Sequence, residues 1–227
     1  MSMSVTLPAS SEPRWQRRAE ARPQELLDAA LDEFVERGYA ATRLEAVARR
    51  AGVSKGTLYL YYANKAELFK AVVRKSLVAN LDEAQAVIAE HRGGSRELLV
   101  FLLSEFTRRV SASSLSGIPK LIVAEAGNFP EIARFYYEEV VRRGRGIIQT
   151  VLQQGVDRGE FRPMDADYIW RVVIAPVVLG ILWKHSFLVF EPGGFEFERH
   201  LRAHLDLLFD GLAARGETVP DSAKDAI

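Results

Sequence analysis

Apolar residues recur at helical spacing along nearly the whole chain, while alternating apolar and polar runs of strand length are absent. Leu27, Ala30, Leu31 and Phe34 line one face of a first helix, with Pro23 in its first turn and Gly38 at its end. Thr42 and Glu45 have capping-box spacing ahead of Leu44, Val47, Ala48 and Ala51, and Gly52 breaks this second helix. Ser54 suits the cap of a short third helix reaching about Tyr62, and Asn64 with Glu67 opens a fourth through Leu68, Val72, Leu77 and Leu81. Past Gly93 and Gly94 the helices lengthen. They are expected over 96–111, after Pro119, over 130–158, from the cap Asp165 to about 190, and over 196–214. The pattern predicts an all-α protein of about nine helices without an internal repeat.

The segment from Thr42 to Tyr62 has the pattern of a helix-turn-helix. Such a pair needs a small residue where two helices cross, a turn residue that tolerates positive φ, and an apolar anchor in the second helix. Ala48, Gly52 and Leu58 supply them in that order. The outer face of the third helix then presents Lys55, Gly56, Thr57, Tyr59 and Tyr61, beginning at Ser54. Hydroxyls and a lysine on a short exposed helix suit phosphate oxygens and base edges in a major groove. Lys65 at the start of the fourth helix, and Thr42 and Arg43 at the start of the second, are placed to meet phosphates. A basic arm of Arg14, Arg17, Arg18 and Arg22 precedes them.

The stretch from Arg22 to Phe69 resembles the DNA-binding region of TetR/AcrR-type transcriptional regulators. The resemblance rests on Thr42-Arg43-Leu44-Glu45, on Gly52-Val53-Ser54-Lys55-Gly56-Thr57-Leu58-Tyr59 and on Asn64-Lys65-Ala66-Glu67-Leu68-Phe69. It implies a homodimer that reads a pseudo-palindromic double-stranded operator and is released by a small molecule held in a helical body. Thr42, Arg43, Lys55, Gly56, Thr57, Tyr59, Tyr61 and Lys65 match the family's DNA-contacting positions, and Tyr61 stands where many members have histidine. The division expected is a disordered basic lead-in over 1–20, a helix-turn-helix domain over 21–80, a ligand-binding and dimerisation domain over 81–214, and a polar tail over 215–227. The alternative is a helical protein that binds a small molecule or partner without regulating DNA.

In the body, fifteen aromatic residues follow position 90. Phe101, Phe106, Phe135, Tyr136, Tyr137, Trp170 and Trp183, with Ile174 and the polar Arg109, are candidates to line a partly apolar effector cavity. Pro176 predicts a kink in the eighth helix. The last two long helices are apolar on more than one side, through Val172, Val173, Val177 and Leu179 and then Leu201, Leu205, Leu207 and Leu208. A symmetric dimer through these helices would bury the excess.

His200 and His204 stand at i and i+4, but without an accompanying acidic cluster the spacing points to packing and not to a metal. Catalytic motifs are lacking, so neither enzyme activity nor a cofactor is expected. The chain has no cysteine, which excludes thiolate metal sites and disulfides. Its 30 basic and 30 acidic residues cancel, yet residues 1–80 hold 13 basic and 9 acidic, a net +4, against −4 for the rest. The charge sum therefore conceals a basic reading head. The run from Val172 to Trp183 is twelve residues, short of the ~20 of a membrane span, and predicts a core helix of a cytoplasmic protein.

Overall fold

The structure is a computed structural model that describes residues 14–111 and 114–213, with side chains described from Pro23 onward. The expected tail and the first part of the lead-in lie outside these residues. Among the described residues the fold is all-α, and its one β-type pairing is an isolated antiparallel bridge between Phe161 and Ala213. The helices are α1 (Arg14–Ala41), α2 (Leu44–Arg50), α3 (Lys55–Tyr61), α4 (Lys65–Val73), α5 (Ala79–Glu90) and α6 (Ser95–Ser111). They continue with α7 (Gly117–Glu125), α8 (Pro130–Tyr136), α9 (Arg142–Asp157), α10 (Ala166–Ser186) and α11 (Phe197–Leu212). π-helical turns at Arg74–Val78 and Tyr137–Val141 follow α4 and α8 without a break, so the eleven segments form nine helical stretches among the described residues.

The chain forms two compact units that part between Val72 and Val73, earlier than the expected boundary at 80. In the first unit α1 begins at Arg14, so 14–20 is helical and not a disordered lead-in; Gln16, Arg17, Arg18, Ala19 and Glu20 are strong helix formers. Pro23 accordingly lies inside this helix. Gly38, at φ 79° and ψ 166°, takes the chain out of helical geometry where the sequence places the end of the helix. The buried face of α1 is Leu26, Ala30 and Phe34, one step round from the face through Leu27 and Leu31. Phe34, Tyr39 and Phe69 form a ring cluster with centroids 5.3–5.7 Å apart, and Val47, Leu58 and Leu68 close the core.

The second unit packs α10 against α6, α7, α9 and α11. Its core is Leu98, Leu99 and Leu103 of α6, Val151 and Leu152 of α9, and Val173, Val177 and Ile181 of α10. Gly180 allows Phe195, Phe197 and His200 to close on α10: a Cβ there would lie 3.1–3.3 Å from all three rings. His200 and His204 donate from Nε2 to the carbonyls of Pro176 and Val173 at 2.9 and 2.8 Å, fastening α11 along α10. The α10 run expected as buried core is covered on one side only. Tyr168, Val172, Leu179 and Trp183 are exposed in a row along its other side, and Phe187, Val189 and Phe190 continue the exposed apolar surface.

Candidate nucleic-acid interface and ligand cavity

The helix-turn-helix is built from short-range bonds. Gly52 adopts φ 66°, and the amides of Gly52 and Val53 reach Arg49 and Ala48 carbonyls at 3.1 and 2.9 Å, which turns the chain between α2 and α3. Ser54 caps α3 by accepting from the Thr57 amide at 3.1 Å. Leu58 is buried, and that single anchor turns the rest of the seven-residue helix outward. Lys55, Gly56, Tyr59, Leu60 and Tyr61 are exposed, Leu60 to 85%. Lys55 pairs with Glu45 of α2 at 2.5 Å and lies 5.7 Å from the Tyr59 ring centroid. The Lys55 hydrogen bond holds the Glu45 carboxyl below its usual range, and the carboxylate raises the ammonium in return.

Two further cations of this unit are committed to its own scaffold. Arg50 grips Glu36 through both terminal nitrogens, at 2.7 and 2.5 Å, and also reaches Glu33 at 3.2 Å, so α2 is clamped onto α1. Lys65 donates to the carbonyls of Tyr39, Ala40 and Thr42 at 2.7, 3.0 and 3.1 Å.

The second unit encloses a cavity of about 320 Å³. Its apolar wall includes Leu77 from the π-helical turn after α4, Leu81 from α5, Phe106 from α6, Ile148 from α9, and Ile174 and Val178 from α10. Arg109 lines it while bound to Asn80 at 3.1 Å, to Glu105 at 3.3 Å and to Glu83. Arg145 lines it while bound to Gln149 at 3.1 Å and to Asp167. Burial pushes the Tyr136 phenol up, so it stays protonated on this wall.

The family model for bacterial regulatory proteins of the tetR family matches residues 26–72, and that for the tetracyclin repressor-like C-terminal domain matches 89–188. An uncharacterised HTH-type transcriptional regulator of Mycobacterium bovis is 30% identical over 152 residues, 66% of this chain and 70% of that protein. The chain belongs to the TetR family. As a TetR-family member it is a DNA-binding transcriptional regulator. The HTH-type transcriptional repressor KstR2 of Mycobacterium tuberculosis is 26% identical over 176 residues, 77% of this chain and 84% of its own. The crystal structure of FadR from Bacillus subtilis in complex with stearoyl-CoA has the same fold, with a TM-score of 0.71 at 20% identity over 83% of this chain and 98% of that one.

In this TetR-family chain the expected DNA-facing residues divide into two groups. Arg43, Ser54, Lys55, Gly56, Tyr59 and Tyr61 are exposed, with Thr57 half-buried beside them. Thr42 is buried, and its hydroxyl donates to the Glu33 and Gly38 carbonyls at 3.0 and 2.7 Å, so the expected capping box does not form. Lys65 is likewise occupied, because the carbonyls at the end of α1 draw its charge. Phe101, Phe106, Arg109, Tyr136, Trp170 and Ile174 line the cavity. Phe135, Trp183 and the exposed Tyr137 do not. The Arg74 guanidinium covers the Phe135 ring at 4.9 Å, and Trp183 faces Phe187 and bonds Glu191 on the outer side of α10. Sequence reasoning missed Leu60 and the wall of Leu77, Leu81 and Ala84, whose i, i+4, i+7 spacing marks an apolar stripe.

Proposed function

We propose that the protein is a cytoplasmic, homodimeric repressor without enzyme activity, released from a pseudo-palindromic operator by a partly apolar effector. The exposed face of α3, with Tyr59, Leu60 and Tyr61 outward on a helix anchored by Leu58, carries the DNA side of this reading. Each protomer would lay α3 in a major groove, half-sites being ~34–36 Å or a multiple apart. The exposed row of Tyr168, Val172, Leu179 and Trp183 on α10, with Leu207 on α11, would pair with its counterpart in a second copy. Effector binding would favour whichever spacing of the reading heads it fits better, and only to the extent of its differential affinity for the two. The cavity supports an effector of apolar character, in line with the stearoyl-CoA held by FadR of Bacillus subtilis.

Selection of duplexes from a random library by the full-length protein tests this. A two-fold symmetric consensus is expected, with binding that weakens steeply with salt. Binding without sequence preference would overturn the regulatory reading. Filling the cavity with Val178→Trp should leave operator binding intact and abolish release by effector.

A further inference from the structure

The charged groups around the cavity are spent on one another. Arg109 is bound by Asn80, Glu83 and Glu105, and Arg145 by Gln149 and Asp167. One hydroxyl on the wall is not spent. Tyr136 has no hydrogen-bond partner among the described residues, yet its oxygen keeps accessible surface. Burial alone raises the phenol, so that surface lies in the interior and not on the outside of the body. Accessible surface in the interior opens on a cavity, and the cavity that Tyr136 lines is this one. The backbone turns it that way. Tyr136 closes α8 where the π-helical turn begins, and Val140 and Val141, four and five positions on, line the same cavity. A π-helical turn bonds i to i+5, which sets these three side chains on one side. Their neighbours turn away: Arg74 covers the Phe135 ring, and Tyr137 is exposed.

A phenol both donates and accepts, and in an open cavity water serves it. A hydrocarbon filling the cavity would strip the hydroxyl of water and leave a buried donor unpaired. A carboxylate or an ammonium would find the charges on this wall already engaged, since Glu83 and Glu105 hold Arg109 and Asp167 holds Arg145. One hydrogen bond to a phenol does not offset the burial of a charge. We propose that the effector is an uncharged, mainly apolar molecule whose one oxygen, as a hydroxyl or a carbonyl, hydrogen-bonds the Tyr136 hydroxyl. Tyr136 is then the residue that separates oxygen-bearing ligands from hydrocarbons of the same shape. This deepens the proposed function, resting on the cavity as the effector site, and does not depend on the operator.

The test titrates undecan-2-ol, undecan-2-one and 2-methylundec-1-ene, alike in shape, into the full-length wild type and Tyr136→Phe, which removes only the hydroxyl. The variant is expected to bind the alcohol and the ketone roughly fivefold to fiftyfold more weakly, and the alkene as well or better, with no hydroxyl left to desolvate. A loss confined to one oxygen probe supports the proposal and fixes the oxygen as hydroxyl or carbonyl. The infrared carbonyl stretch of the bound ketone, labelled with 13C, should lie below its position in an alkane solvent and return there in Tyr136→Phe. An alkane-like stretch in the wild type overturns the proposal without recourse to a variant. Equal changes for all three probes, or a wild type that binds neither oxygen probe, also overturn it and leave the cavity standing. Probes that bind Val178→Trp as tightly as the wild type lie outside the cavity, which overturns the cavity reading and this proposal together.

Discussion

The ammonium of Lys65 lies 4.6 Å from the centroid of the Tyr39 ring and donates to the Tyr39 carbonyl at 2.7 Å. With Ala40 and Thr42 it serves three carbonyls at the end of α1, where a cation is favoured electrostatically and by hydrogen bonding. Lys65→Met is therefore expected to destabilise the protein by roughly 1.5–3 kcal/mol, the range for hydrogen bonds to a charged group. Calorimetric unfolding checks this. An unchanged midpoint with a selective loss of operator affinity would return Lys65 to the phosphate-contacting role that its position in sequence suggests.

Glu45 holds Lys55 at 2.5 Å on the surface that would meet DNA. A phosphate must compete with that carboxylate and also feels its repulsion. Glu45→Gln is expected to strengthen operator binding several-fold at low salt, with the advantage shrinking as screening rises. Lys55→Ala should weaken binding and lower the salt slope by about one. Fluorescence anisotropy over a salt series reads both, and a weakening by Glu45→Gln would refute the competition.

The order of the helices was legible because each carries a local signal. Ser54 caps α3 and Asn64 accepts from the Glu67 amide at 2.9 Å, both as their spacing predicts. Thr42 has the same local signature and does something else: its hydroxyl is turned to the Glu33 and Gly38 carbonyls of the preceding helix, contacts that spacing within α2 does not reveal. Lys65 illustrates the same limit: its partners are 23 to 26 residues away in sequence. The cavity was half legible. The aromatic residues marked α6 and α10, whereas the pairing of Phe135 with Arg74 and the outward turn of Trp183 follow from helix rotation, which periodicity in a helix apolar on several sides does not fix.

Leu60 is 85% exposed although its neighbour Leu58 is fully buried. A side chain with so little contact contributes almost nothing to the fold, so Leu60→Ala should leave the unfolding midpoint within the range of surface substitutions, about ±0.5 kcal/mol. If it reads a thymine methyl, operator affinity should fall by roughly 1 kcal/mol, with preference relaxed at one A·T pair. Repeating the duplex selection with the variant shows this as a changed position in the consensus. An unaltered consensus and affinity would remove Leu60 from the interface.

Leu179 and Val172 lie in the exposed apolar row of α10, and Leu207 of α11 is 77% exposed. Leu179→Glu would place a charge where two copies are proposed to meet, and leaving it buried without a partner costs several kcal/mol. Sedimentation velocity is expected to show monomers for this variant and dimers for the wild type, with helical content unchanged. Operator binding should drop more than for any single substitution in α3, because both half-sites are lost as a unit. A dimeric Leu179→Glu protein would move the interface elsewhere.

His185 offers a pH-dependent contribution to the stability of the body. Its Nε2 lies 2.6 Å from the Ser116 hydroxyl, and its carbonyl accepts from Lys120 at 2.5 Å. Burial, with repulsion from Lys184 and Lys120, holds the imidazole below its ordinary value. In the unfolded chain it takes a proton below about pH 6.5. Between that value and the lower folded one, the unfolded state binds more protons, so stability falls as pH falls. The contribution is complete above about pH 7 and is lost as the medium is acidified through the folded value. His185→Gln, which keeps a polar group near Ser116 and cannot titrate, should flatten the pH dependence of the urea midpoint between about pH 7 and 5. A slope of equal size in the variant would assign the acid sensitivity to the carboxylates held by arginine, such as Glu105 and Asp167, which lose their charge at lower pH still.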